Sequence, residues 1–389
     1  MTLLASFPTP WRWAAATLGL VAAGAVAVPA AAAAQSSPVV GHVYLDDNTP
    51  GTNTIAAFDR HADGTLSPQP GSPFNAGGAG SGSGLASQGA LQMAAGGRFL
   101  IAADAGSNQL SVLLVRHDGS LQQLPRGVVS SGGVLPVSIA VHGSLIYVAN
   151  AGPGGSNYTG FRLSPSGNLT AIPGSTVALP DAAQPGDVLF NSTGTRLIGT
   201  RVGTSQIDSF TVGQNGRLTS APGSPVMAQG LGPFGSEFRP TSPSQLFVSN
   251  AHDGTGLGTV SAFSDSRGGV LTPIGKSPFA DQQTAPCWVV ISRSGRYLFA
   301  VNTGSGTISR YAIAPDGELT LLGSTTVGAT GGVGAVDPGL SPDGRYLYVN
   351  ENRIGAVGEF RVVGGDLTEL PGSPVSMPTG AGPAGIVVS

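Results

Sequence analysis

Cysteine is all but missing from this chain. Cys287 is the only one in 389 residues, so no internal disulfide can form. It also lies too far from the N-terminus to carry a lipid anchor there. Charge is scarce as well: 10% of residues are Asp, Glu, Lys or Arg, the net charge is −3, and no basic stretch occurs. Those features argue against a nucleic-acid partner. Beyond residue 34 no segment is long and apolar enough to span a bilayer. No D-x-D-x-D-G spacing is present and the five histidines, at 42, 61, 117, 142 and 252, are scattered. No metal and no cofactor are therefore expected.

What the chain has in abundance is glycine and proline, 61 and 30 residues respectively. Together they approach the range in which disorder becomes a concern. A strict period answers that concern. A turn followed by leucine recurs at Leu66, Leu121, Leu169, Leu218, Leu271, Leu319 and Leu367, in steps of 55, 48, 49, 53, 48 and 48 residues. Short strands repeating at about 40–50 residues are the mark of propeller blades.

The sixth copy shows the blade most cleanly. APCWVVISRSG (285–295) is apolar throughout, as in a strand buried on both faces. RYLFAVN (296–302) follows, rich in aromatic and β-branched residues. TISRYAIA (307–314) alternates with period two, and PDG (315–317) makes a hairpin turn into ELTLLGS (318–324). The expected fold is all-β: a seven-bladed propeller with four antiparallel strands per blade. The first copy, GHVYLDDN (41–48), lacks an inner strand, and a spare one stands at the other end as GPAGIVVS (382–389). The spacing thus predicts that the C-terminal strand completes the N-terminal blade, placing 383–389 beside 41–47 and removing open edges. Matching third-strand aromatics (Phe58, Phe161, Phe210, Phe263, Tyr311, Phe360) read as packing between blades. Trp288 reads as filler between sheets, Cys287 as inert packing, and GGAGSGSG (77–84) as a flexible inter-blade loop.

Residues 1–34 differ from the rest. Arg12 precedes an apolar run from Ala14 to Val28, followed by PAAAAAQ (29–35). That order is the pattern of a cleaved secretory signal, with cleavage near Ala34 and Gln35. The expected organisation is a leader (1–34) and one propeller domain (35–389), exported or periplasmic and monomeric.

The repeat endings DGTLSPQPGSPF (63–74), NGRLTSAPGSP (215–225) and GGDLTELPGSP (364–374), with SPDGRYLYVNEN (341–352) and RSGRYLFAVN (293–302), resemble the seven-bladed lactonase propeller family. That family includes 6-phosphogluconolactonase and carboxy-cis,cis-muconate cyclase enzymes. The resemblance covers roughly 40–389, and the motifs overlap with extracellular YVTN-type repeats. It implies hydrolysis of a sugar lactone or related cyclic ester. In the family's enzymes several inner strands start with a His. The corresponding positions here are Gly89, Val137, Gly186, Phe234, Cys287, Val336 and Ala384, so no catalytic residue transfers.

The chain's own polar residues supply other candidates. First strands and second strands run antiparallel, so starts of the former and ends of the latter share one mouth of the bore. Lactone opening needs a base for water and a donor or cation for the oxyanion. Asp187, Glu237 and Glu351 are candidate bases, and Arg201 is the candidate cation. Asp47, Asp104, Asn150, Asn250, Asn302 and Asp337 are candidate ligand contacts. Two readings stay open: a lactonase-like enzyme taking a small lactone, or a non-catalytic propeller binding a protein, glycan or small molecule.

Overall fold

Seven antiparallel sheets form the ring in the computed structural model, which describes residues 37–328, 334–378 and 382–389. The leader expected at 1–34 lies outside the described residues. Blade 1 is built from Ala384–Val388, Val39–Asp46, Thr54–His61 and the outer Leu66–Pro68. Blades 2 to 7 follow in chain order at 91–130, 136–178, 185–227, 233–280, 286–326 and 335–376. Among the described residues no helix is long and apolar enough to cross a membrane.

The ring closes where the repeat pattern predicted. Val43 pairs with Val388, Tyr44 with Val387 and Leu45 with Ile386. Arg60 reinforces the closure, donating through Nε and Nη2 to the Ser389 main-chain oxygen at 3.0 and 2.9 Å.

Both faces of each blade are apolar, and burial of those faces organises the molecule into seven seams, one between each pair of neighbours. The periodic residues have one shared task. Phe58 and Leu66 fill the seam between blades 7 and 1, and Phe161 and Leu169 that between blades 2 and 3. Phe263 with Leu271, Tyr311 with Leu319 and Phe360 with Leu367 do the same further round. Each pair faces the preceding blade, and burying one such ring is worth about 1.5–3 kcal/mol. Second-strand tyrosines add polar ties across three seams. Tyr44, Tyr147 and Tyr348 donate to the carbonyls of Gly119, Gly216 and Gly64 at 2.7, 2.9 and 2.8 Å.

Hairpin turns explain why those leucines arrive on schedule. Asp63, Asp118, Asn215 and Asp316 each accept a backbone N–H two residues on through their side-chain oxygen, and glycine follows in each turn. At Gly64 φ is +92°, and a Cβ there would come within 2.2 Å of the Tyr346 ring, so no other residue fits.

In five blades the outer strand departs from the expected continuous form. It breaks into a three- or four-residue piece and a two-residue piece, both paired to the third strand. A Ser-Pro ending causes the break in blades 1, 4, 5 and 7, written PGSP in blades 1, 4 and 7 and GKSP (275–278) in blade 5. Its serines, Ser72, Ser224, Ser277 and Ser373, accept the third-strand N–H groups of Ala57, Ser209, Ala262 and Glu359 at 2.7–2.9 Å. The serine oxygen thus stands in for a ladder partner that the interrupted strand cannot supply. Blades 2 and 6 lack PGSP and keep continuous outer strands, Leu121–Ser130 and Leu319–Thr326.

Deleting 383–389 would expose the edge of Val39–Asp46 and open a seam. Typical total stability is only about 5–15 kcal/mol. The truncated chain is therefore expected to lose its cooperative thermal transition by circular dichroism. An unchanged melting curve would refute closure by this strand.

Candidate functional site

The mouth of the bore is where inner strands begin and second strands end. A cavity of about 250 Å³ opens there. Four of the seven inner-strand positions singled out above, Phe234, Cys287, Val336 and Ala384, form its wall, with Trp288, Thr303, Asp337, Asn352 and the segment Gly84–Ser87. The wall is largely apolar, with polar side chains at Ser87, Thr303, Asp337 and Asn352. Phe234 and Trp288 meet edge to face, centroids 5.1 Å apart. Trp288 thus both packs in the seam between blades 6 and 7 and faces the cavity.

The floor comes from an unexpected source. The connection from blade 1 to blade 2 drops into the axis instead of looping over the rim. Ser87 accepts the Trp288 indole N–H through its carbonyl at 2.7 Å and donates through its hydroxyl to Val137 O at 2.7 Å. Gln88 donates its backbone N–H to Gly186 O at 2.9 Å and its side-chain amide to Ser236 O at 3.0 Å, and its side-chain oxygen accepts Val289 N–H at 2.9 Å. Gly89 O accepts Ile139 N–H at 2.9 Å. Three consecutive residues thereby touch the inner strands of blades 3, 4, 5 and 6. The preceding glycine-rich stretch is equally tied down, contrary to the flexible loop expected. Ser81 N–H donates to the Asn48 side chain, and Gly80 and Gly82 donate to Thr49 and Asn48 carbonyls. Gly80 has no room for a Cβ, which would lie 2.1 Å from the Asn48 carbonyl carbon.

Two buried aspartates stitch the remaining inner strands. Asp187 in blade 4 accepts from Ser138 Oγ of blade 3 at 3.1 Å and from Ser236 N–H and Oγ of blade 5 at 2.9 and 2.6 Å. Asp337 in blade 7 accepts Gly385 N–H of blade 1 at 2.8 Å and the Gly89 N–H. Burial pushes both carboxyls up to about 7, against these hydrogen bonds. Glu237, half-buried on the inner strand of blade 5, is pushed up to about 8 by desolvation and then by the charge of Asp187. Asp187 also raises Asp337. These three form one electrostatic group.

The other candidates have separate surroundings. Arg201, the expected cation, is committed to Asp208 by two 2.6 Å hydrogen bonds, and Tyr158 donates to the same carboxylate at 3.0 Å. Its charge is therefore compensated within blade 4, and it does not line the cavity. Glu351 is raised to about 7 by burial and then by Glu369, within blade 7. Asp104 accepts from Asn53 and Ser111, and Asp47 from Thr54, on the side of blades 1 and 2. Asn150 donates to Asn157, Asn250 to Thr259 and Ser261, and Asn302 to Thr307 and Ser309. These asparagines brace second strands against third strands. Burial raises the Cys287 thiol to about 12, so it is no thiolate at neutral pH. Among the described residues no group of three or more His, Cys, Asp or Glu is placed to hold a metal ion.

Sequence reasoning did not single out Asn352, Phe234 as a cavity wall, or the axial Ser87–Gly89 segment. One signal for the last was present: the first repeat step, 55 residues, is the longest of the six.

The raised carboxyls have a consequence for stability. Glu237 keeps its proton in the folded ring to about pH 8, whereas the unfolded chain releases it near 4.5. Stability is thus highest below the lower value and falls as pH rises through the upper one. Glu237→Gln is expected to match wild type at pH 5 and to exceed it at pH 8.5 by about 1–2 kcal/mol. That is less than the full shift implies, because the group keeps solvent contact. Thermal melts across pH check this, and equal gains at both pH values would refute it.

Residues 238–388 match the family model described as lactonase, 7-bladed beta-propeller. No curated protein matches the chain. Among solved structures it is similar to a putative 6-phosphogluconolactonase from Bacteroides fragilis (20% identity, TM-score 0.71, covering 90% of this chain and 98% of that one). A second from Bacteroides uniformis shows 21% identity and TM-score 0.70, covering 90% and 99%. A periplasmic gluconolactonase from Pseudomonas aeruginosa shows 18% identity and TM-score 0.66, covering 87% and 98%. At these identities the structural likeness speaks for the fold. The ring of seven four-stranded blades is thus the fold that these structures share, and the family match itself covers residues 238–388.

Proposed function

We propose that the protein hydrolyses a small lactone in the mouth cavity, with Asp337 as general base. The observation that carries this reading is a carboxyl raised to about 7 in the wall of an apolar cavity. A base of that strength is matched to neutral pH. Asn352, whose side-chain amide has no hydrogen-bond partner among the described residues, lines the same cavity and can donate to a developing oxyanion.

In the proposed reaction Asp337 takes a proton from water as the oxygen attacks the lactone carbonyl carbon. The tetrahedral oxyanion is held by the Asn352 amide. Its collapse breaks the ring C–O bond, and the proton on Asp337 passes to the departing alkoxide. The product is a hydroxy acid, and Asp337 returns to its starting state. The Gly385 and Gly89 N–H groups keep the carboxyl oriented. Arg201 has no part in this scheme, because Asp208 already engages it. The exported location expected from residues 1–34 would make the substrate an extracytoplasmic one.

A second reading, binding without turnover, is favoured by one feature. Among the described residues the lining includes no Lys, Arg or His to stabilise an oxyanion more strongly than an amide can.

Hydrolysis of glucono-1,5-lactone, corrected for the spontaneous rate, separates the readings. Asp337→Asn is expected to lower kcat by about 10²-fold or more. Wild-type kcat/KM should rise with pH through about 7 as the base loses its proton, and this rise should vanish in the variant. A wild-type rate equal to background, or an unchanged rate in Asp337→Asn, would overturn the catalytic reading.

A further inference from the structure

We infer that the mouth cavity takes a single uncharged ring and rejects the phosphorylated form of that ring. This rests on the reading above that the cavity is a ligand site, and it adds the class of ligand.

Size comes first. At about 250 Å³ the cavity falls below the ~300 Å³ at which sites for drug-sized ligands begin. Leu85, Ala86 and Ser87 form one wall, and Ser87 and Gln88 are hydrogen-bonded to the inner strands of blades 3, 4, 5 and 6. The ligand therefore cannot extend down the bore.

Charge decides the rest. Among the described residues Asp337 is the only ionisable carboxyl in the wall, and no cation lines it. Asp187, whose charge raises Asp337, adds negative potential, while Glu237 keeps its proton to about pH 8 and adds none at pH 7. Arg201 contributes no free charge, since Asp208 engages it with two hydrogen bonds. Arg353 follows Asn352 in sequence but is exposed and is not part of the wall. A phosphate monoester carries about −1.5 to −2 charge at pH 7. In this cavity it would face a carboxyl across apolar walls of low dielectric with no counter-ion, a like-charge juxtaposition that binding sites use to exclude wrong partners. A neutral ring meets no such penalty. The faces of Phe234 and Trp288 suit its C–H surface, and the Asn352 amide can donate to its oxygens.

Calorimetric titration with 1,5-anhydroglucitol and with its 6-phosphate tests the inference. Neither compound has a lactone bond, so turnover does not interfere. The neutral ring is expected to bind and the phosphate to bind at least about tenfold more weakly. Asp337→Asn should narrow that ratio, and Thr303→Lys, which adds a cation at a half-buried wall position, should narrow or reverse it. Wild-type melting curves would show that both variants fold. Equal or tighter binding of the phosphate by wild type overturns the selectivity while leaving the ligand-site reading standing. The selectivity also falls if Arg353→Gln abolishes a strong phosphate interaction. Failure of both compounds to bind removes the ligand-site reading, and the selectivity with it.

Discussion

No blade of this protein can stand alone, because both of its faces are apolar and only a neighbour on each side can cover them. That constraint governs the rest of the structure. A row of such sheets has two bare ends, and a ring has none, so stability requires that the last strand join the first blade. Pairing of Ala384–Val388 with Val39–Asp46 meets this need. It also closes the seventh seam, between blades 7 and 1, which Phe58 and Leu66 fill.

At the axis the same ring creates an opposite problem. Inner strands converge, their polar backbone groups crowd, and the bore needs partners for them. Ser87, Gln88 and Gly89 supply these partners to four blades, while Asp187 and Asp337 tie together the strands that flank them. Carboxyls enclosed in this way resist ionisation, which gives the mouth groups that titrate near neutrality beside aromatic walls. The axial segment thus has two effects from one placement: it braces the inner strands and it floors the cavity. A propeller with an open bore would offer a longer, wetter channel, and Asp337 would stay a stronger acid.

Different parts of this arrangement were legible to different degrees. The turn-plus-leucine mark and the third-strand aromatics could be read directly, since the leucine recurs in all seven copies and the aromatic in six, and each meets the same kind of neighbour. The closing strand followed from counting inner strands. Reading Arg201 as the cation for the oxyanion met Asp208, seven residues on: the same spacing joins Asp104 to Ser111, Asn150 to Asn157 and Asn302 to Ser309, but in blade 4 it makes an ion pair. Asp337 was legible only as a polar residue near the mouth, and its basicity depends on what encloses it. Trp288 reads as filler by spacing, yet its indole N–H also reaches Ser87, a residue 201 positions away in the chain.

The sequence by itself determined the ring: its blade number, its seams, its turns and its closure all rest on local patterns repeated along the chain. Only the tertiary structure decided what occupies the axis, which carboxyls are buried there and which arginine is neutralised. The physical reason is that seams bring together equivalent residues of adjacent repeats, whereas the axis gathers one-off residues from all around the ring. Their separations follow no period, so no pattern in the chain announces their meeting.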